Sequence, residues 1–188
     1  MAMRSLLVAC VALSLAACDS GSVPPPGQEP LRPSSPDPVA DTVLLSATGL
    51  NAGPEAFYFA AGKNEVETAL TGLLGQATST AENDECGAGA MEFTDFAGGL
   101  TINFQNGTLV GWNWRLPQDG DMPATADISA IGDVQLGTSR DEAESVTGFS
   151  TIAESTLGEE FALGDRMGGF FDAEVVSMLY SGTQCFFR

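Results

Sequence analysis

The chain has 188 residues, with 25 aspartates and glutamates against 7 lysines and arginines, no histidine, and a net charge of −18. So acidic a surface repels phosphate backbones and anionic headgroups, which argues against nucleic-acid binding and against a basic membrane-docking patch. The missing histidine removes imidazole bases and the commonest zinc ligand, and a lone lysine, Lys63, leaves Schiff-base and P-loop chemistry without support.

Arg4 is the only charge before an apolar run from Ser5 to Ala17, too short for a comfortable permanent span, so residues 1–17 read as a cleaved signal peptide. The closing residues Leu15-Ala16-Ala17-Cys18 resemble the lipobox of bacterial lipoproteins, in which small residues fit the signal peptidase and the cysteine thiol receives a diacylglycerol. That resemblance implies lipid on Cys18, loss of Cys10 with the leader, and export to a bacterial membrane with the head in the periplasm or at the cell surface. Asp19 sits where some Gram-negative lineages read an inner-membrane retention signal, a rule that varies, so both membranes stay open. Residues 18–41 follow as a tether. The stretch from Ser22 to Asp41 holds seven of the ten prolines and almost no large apolar side chain, and extended polyproline geometry at ~3.1 Å per residue gives it a reach of up to about 60 Å.

Beyond the tether lie 188 minus 41, or 147, residues, enough for one domain or two small ones sharing a core. Val66, Ala69, Leu70, Leu73 and Leu74 follow the i, i+3, i+4, i+7, i+8 spacing of a helix with one buried stripe, which Gly75 ends. Asn64 followed by Glu67 predicts a capping box at its start. Asn106-Gly107 predicts a type I′ hairpin turn. Strand alternation then sets Leu100, Ile102, Phe104 and Leu109 on one face of the hairpin and Val110, Trp112 and Trp114 on the other. A helix covers only one face, so the second is either buried by another part of the chain or offered to a partner.

Further on, Ser139 and Glu142 predict a second capping box opening a short helix with Ala143 and Val146 on its inner side. Laying LTINFQNGTLVGW on VVSMLYSGTQCFF without a gap matches Gly107 to Gly182, an offset of 182 minus 107, or 75, and sets Phe187 opposite Trp112. The same offset matches Asn64 to Ser139. The expected fold class is α+β: two tandem repeats of about 75 residues, at 42–117 and 118–188, each a short helix on antiparallel strands. Cys86 and Cys185 remain in the exported domain, where an oxidising compartment favours pairing. A disulfide closing a loop of about 100 residues contributes up to ~4.7 kcal/mol in the chain-entropy model.

Gly62-Lys63-Asn64-Glu65-Val66-Glu67, Gly137-Thr138-Ser139-Arg140-Asp141-Glu142 and the two hairpins resemble the β-lactamase inhibitory protein-like fold and, more distantly, small lipoproteins of the outer-membrane assembly machinery. The chain departs from that pattern in that Cys86 and Cys185 do not occupy equivalent positions, so neither half carries its own disulfide. The reading is a non-catalytic, membrane-anchored module that binds another envelope protein through an aromatic sheet face of Val110, Trp112, Trp114 and Phe187. No cofactor and no metal is expected: the acids of Asp119-Gly120-Asp121 and Asp127 lack the spacing of an EF-hand. The alternatives are a cell-wall hydrolase using carboxylates such as Glu159-Glu160 or Asp141-Glu142, and a passive acidic surface lipoprotein.

Overall fold

Alternation in TVLLS sets the first strand: Val43 and Leu45 are fully buried while their neighbours are not. The structure, a computed structural model, describes residues 41–186. The expected signal peptide, Cys18, all of the tether but Asp41, and Phe187 lie outside the described residues. In chain order the elements are β1 (Thr42–Ser46), β2 (Gly49–Ala52), β3 (Glu55–Tyr58), α1 (Lys63–Leu74), β4 (Ser79–Asn83), β5 (Met91–Phe96), β6 (Leu100–Gln105) and β7 (Thr108–Arg115). After them come β8 (Asp127–Ala130), α2 (Arg140–Glu144), β9 (Phe149–Thr151), β10 (Glu159–Leu163), β11 (Met167–Asp172) and β12 (Val175–Gly182).

The described chain is strand-rich rather than an even mixture of helix and strand. A four-stranded sheet has the order β3-β2-β1-β8, with β8 parallel to β1. An eight-stranded antiparallel sheet has the order β4-β5-β6-β7-β12-β11-β10-β9. Both helices and the small sheet cover one face of the large one, its inner face, and share a single core that holds Leu45, Leu50, Val66, Leu70, Ile102, Phe104, Trp112, Phe161 and Leu179. Among the described residues no helix is long and apolar enough to cross a membrane.

Local signals held. α1 buries Val66, Leu70 and Leu74, and the Gly75 N–H closes it on the Thr71 carbonyl. Ser139 and Glu142 make both bonds of the capping box. Asn106 and Gly107 have φ of 50° and 75°, the positive pair that a type I′ turn requires.

Three expectations are corrected. The α1 N-cap is Gly62, not Asn64, and no side chain caps it. The Lys63 N–H instead donates to the Gly107 carbonyl in the β6–β7 turn, and the Glu67 carboxylate accepts the Thr94 hydroxyl at 2.6 Å. The gapless offset of 75 also fails, because Asn106-Gly107 makes a turn whereas Ser181 and Gly182 close strand β12. Third, Leu109 pairs with Phe104 but Gly111 with Asn103, so Val110 is an extra residue in a β-bulge. The bulge turns Trp112 and Trp114 onto the same face as Leu100, Ile102 and Phe104, which is the core face.

Each half of the large sheet is a helix followed by four antiparallel strands, and the two halves meet at β7 and β12. The hydrogen bonds that join each helix entry to its last hairpin correspond. Lys63 N–H donates to the Gly107 carbonyl, and Arg140 N–H to that of Glu174. Ala60 and Leu109 are joined as Gly137 and Val176 are, and both hairpins bulge at the matching place, Asn103/Phe104 and Phe170/Phe171. The N-caps are 139 minus 62, or 77, residues apart, and the starts of β7 and β12 are 175 minus 108, or 67, apart. Of the ten residues by which the interval shrinks, 12 minus 5, or seven, come from the shorter α2, and the rest from the segments that follow the helices.

Candidate protein-binding face

The eight-stranded sheet presents its other face outward. Pairing partners share a face, so Asn113 with Tyr180, Phe170 with Met178 and Glu160 with Phe170 all stand on this outer side. No helix or strand among the described residues covers it. Phe170 and Tyr180 have ring centroids 5.7 Å apart, and Phe186 meets both edge-on at 5.6 and 5.2 Å. A cleft of about 600 Å³ opens beside this cluster, lined by Leu116, Pro117, Leu157, Phe170, Met178 and Phe186.

The segment after β12 crosses the middle of the face. Thr183 N–H donates to the Val110 carbonyl at 2.8 Å, and Asn103 Nδ2 donates to the Thr183 carbonyl at 2.9 Å and to Gln184 Oε1 at 3.0 Å. Gln184 Nε2 donates to the carbonyls of Trp112 and Ser181. Cys185 reaches the corner where Cys86 is buried, with its sulfur accepting from Asn83 Nδ2 at 3.6 Å. Cys86 Sγ donates to Met91 Sδ at 3.2 Å. The two cysteine sulfurs are neighbours and unbonded. Burial pushes the Cys185 thiol up to about 11, aided by the hydrogen bond with Cys86.

The residues expected to form the aromatic face fall elsewhere. Trp112 is 0 % exposed and its indole N–H donates to the Ser46 carbonyl at 2.9 Å, beneath the small sheet. Trp114 is 9 % exposed and donates to the Gly98 carbonyl. Val110 is the half-buried bulge residue under Thr183, and Phe187 lies outside the described residues. The outward residues missed in the sequence, Phe170, Tyr180 and Phe186, had a partial signal: Phe170 and Phe171 are adjacent in a strand, so one of them must face outward.

The acids considered for catalysis do not converge. Glu159 projects to the inner side and pairs with Arg140 at 2.5 Å, whereas Glu160 projects to the outer side and accepts the Tyr180 hydroxyl at 2.6 Å. Asp141 and Glu142 lie in the first turn of α2, and Glu142 is engaged in its capping box, which holds its carboxyl below the usual range. In the loop that raised calcium, Asp121 takes two bonds from Arg115, at 2.6 and 3.2 Å, and one from the Gln118 N–H. Arg115 above all holds the Asp121 carboxyl down to about 2. Among the described residues no group of three histidines, cysteines, aspartates or glutamates gathers as a metal site would require. Comparison with protein-family models, curated proteins and solved structures found no match.

Proposed function

We propose that this chain is a lipid-anchored envelope protein whose duplicated head binds another protein across the outer face of the eight-stranded sheet, without catalysis. Cys18 carries the lipid, residues 18–41 give the reach, and a Cys86–Cys185 disulfide forms once the protein is exported. The matched helix-to-hairpin bonds support descent of the two halves from one ancestral unit, with the copies diverged in helix length. They also support the likeness to the β-lactamase inhibitory protein-like fold, from which no particular partner is transferred.

The observation that carries the binding reading is the cluster of Phe170, Met178, Tyr180 and Phe186 beside an open cleft, on a sheet face that no helix or strand among the described residues covers. Aromatic residues and methionine are the side chains that interface centres favour. Phe187, next to Phe186, belongs to this proposal in place of the buried tryptophans. Three of the four described cations, Lys63, Arg115 and Arg140, are held in ion pairs, and with a net charge of −18 the chain suits a basic partner surface.

A photo-crosslinking side chain at Asn113, on the outer face, tests this against one at Thr68, on the exposed side of α1. In the native envelope Asn113 should yield one discrete adduct that excess purified head abolishes, and Thr68 should not. Equal adducts from both positions, or none from Asn113, would sink the reading.

A further inference from the structure

The outer face described above is not bare at its centre, and what lies there ends beside two neighbouring, unbonded cysteine thiols. Thr183 sits in a notch made for it. Gly111 pairs with Asn103 across β6 and β7, and a Cβ on Gly111 would stand 2.4 Å from the Thr183 carbonyl oxygen. Gly182 turns the chain off β12 with φ of +74°, where a side chain would collide with the Val110 carbonyl at 2.2 Å. Beneath the segment, Asn103 is fully buried, and its Oδ1 has no hydrogen-bond partner although its Nδ2 has two. A buried polar atom left unpaired is destabilising, so the closed arrangement carries a local penalty that its attachments offset. Those attachments are a few hydrogen bonds, the Phe186 ring contacts, and the neighbouring thiols of Cys185 and Cys86.

We propose that Cys86 and Cys185 form a redox latch: as a disulfide they hold Thr183–Phe186 as a strap over the outer face, and their reduction lets the strap lift and bare Asn103, Gly111, Phe170 and Tyr180. This rests on the reading of that face as the binding surface and adds its regulation. In closing, each cysteine loses its S–H proton and the pair gives two electrons to the disulfide of a thiol–disulfide oxidoreductase, which leaves as a dithiol; a mixed disulfide is the intermediate, and opening is the reverse. Because the Cys185 thiol is held up to about 11, little of it is thiolate at neutral pH, and exchange without a catalyst is slow in both directions.

The test uses the full chain in detergent, oxidised with oxidised glutathione and a catalytic amount of a thiol–disulfide oxidoreductase or reduced with a phosphine, alongside the double variant Cys86→Ser/Cys185→Ser. Hydrogen exchange read by mass spectrometry should show the Thr183–Phe186 amides exchanging about tenfold or more faster in the reduced protein and in the double variant, with β6 and β7 unchanged. The neutral probe Nile red should brighten on reduction of the native chain and be bright in the double variant under both conditions. Equal exchange at Thr183–Phe186 in both redox forms overturns the latch, as does a uniform rise across the whole sheet, which marks a disulfide that only stabilises the fold. Thiols that stay unoxidised in oxidised glutathione with a thiol–disulfide oxidoreductase present overturn it too. None of these readouts involves a partner: a lifting strap with no Asn113 adduct would sink the binding reading alone, and equal Asn113 adducts in both redox forms would sink the latch alone.

Discussion

In the first half of the eight-stranded sheet α1 runs for 12 residues from an N-cap, Gly62, that offers no side-chain bond, whereas in the second half α2 has 5 residues and opens on the full Ser139–Glu142 capping box. The longer helix buries Val66, Leu70 and Leu74 and is held by packing; the shorter buries Ala143 alone. A single turn rarely survives on propensity, since nucleation fixes several dihedrals for one hydrogen bond. Its stability therefore depends on the cap and on the Arg140 N–H bond to the β11–β12 turn. The same clasp is thus made in both halves, on a helix held by bulk in one and by a polar cap in the other.

The strands differ in kind as well. Where the first half fills the joint with Trp112, the matching strand of the second offers Leu179, and both are fully buried. Trp112→Ala should cost about 3–5 kcal/mol and Leu179→Ala about 2–5, the largest effects predicted for this comparison, read as lower urea midpoints. An unfolding curve that splits into two transitions in either variant would show that the halves fold independently, and would break the picture of one shared core.

The caps give a sharper contrast at a smaller scale. Ser139→Ala removes the hydroxyl that accepts the Glu142 N–H and should cost about 1 kcal/mol, while Asn64→Ala should stay within about 0.5 kcal/mol because Asn64 lies inside α1 and caps nothing. Equal losses at both positions would restore the capping box expected at Asn64 and Glu67.

These two capping patterns mark where the sequence was legible. The α1 stripe, the Gly75 stop, the Asn106-Gly107 turn and the Ser139 box are each decided within a few residues, so spacing alone reveals them. The misplacement of Trp112 and Trp114 came from a bulge at Val110 that shifts every later side chain of β7 to the opposite face. That bulge is set by pairing with β6 and with β12, and no local motif announces it. The Thr183–Phe186 segment was hidden for a related reason: its seat, Gly111 and Asn103, lies about 70 to 80 residues upstream and is assembled only when β7 meets β12. The ungapped alignment failed because it assumed halves of equal length, and the unequal helices put different offsets on helix and hairpin.

The clasp itself is duplicated with different cations. Lys63 lies 5.5 Å from the Phe104 centroid and pairs with Glu92, and Arg140 lies 4.1 Å from that of Phe171 and pairs with Glu159. Half-exposed pairs of this sort contribute little, so Lys63→Met and Arg140→Met should each cost about 0.5–1 kcal/mol, less at high salt. Arg140 should stand at the upper end because it also donates to the Ala173 carbonyl. A larger loss at Lys63 than at Arg140 would reverse the ranking of polar bonds in the two halves.

The smallest effect separates the halves by pH. Asp121 is held down to about 2 by Arg115 on β7, and the matching position on β12 is Gly182, so this pair belongs to the first half alone. A carboxyl whose folded pKa lies below its unfolded value, near 4, stabilises the fold fully above about pH 4, and that contribution fades as pH falls towards 2. Glu142 is also lowered, through the Ser139 hydroxyl, and gives the second half a weaker dependence of the same sign. Asp121→Asn should therefore flatten the acid limb of stability between about pH 4 and 2, and Ser139→Ala should flatten it less. Thermal midpoints measured at half-unit pH steps decide it: if Asp121→Asn keeps the native slope, the Arg115 pair makes no difference between the halves, and their contrast reduces to helix length and cap.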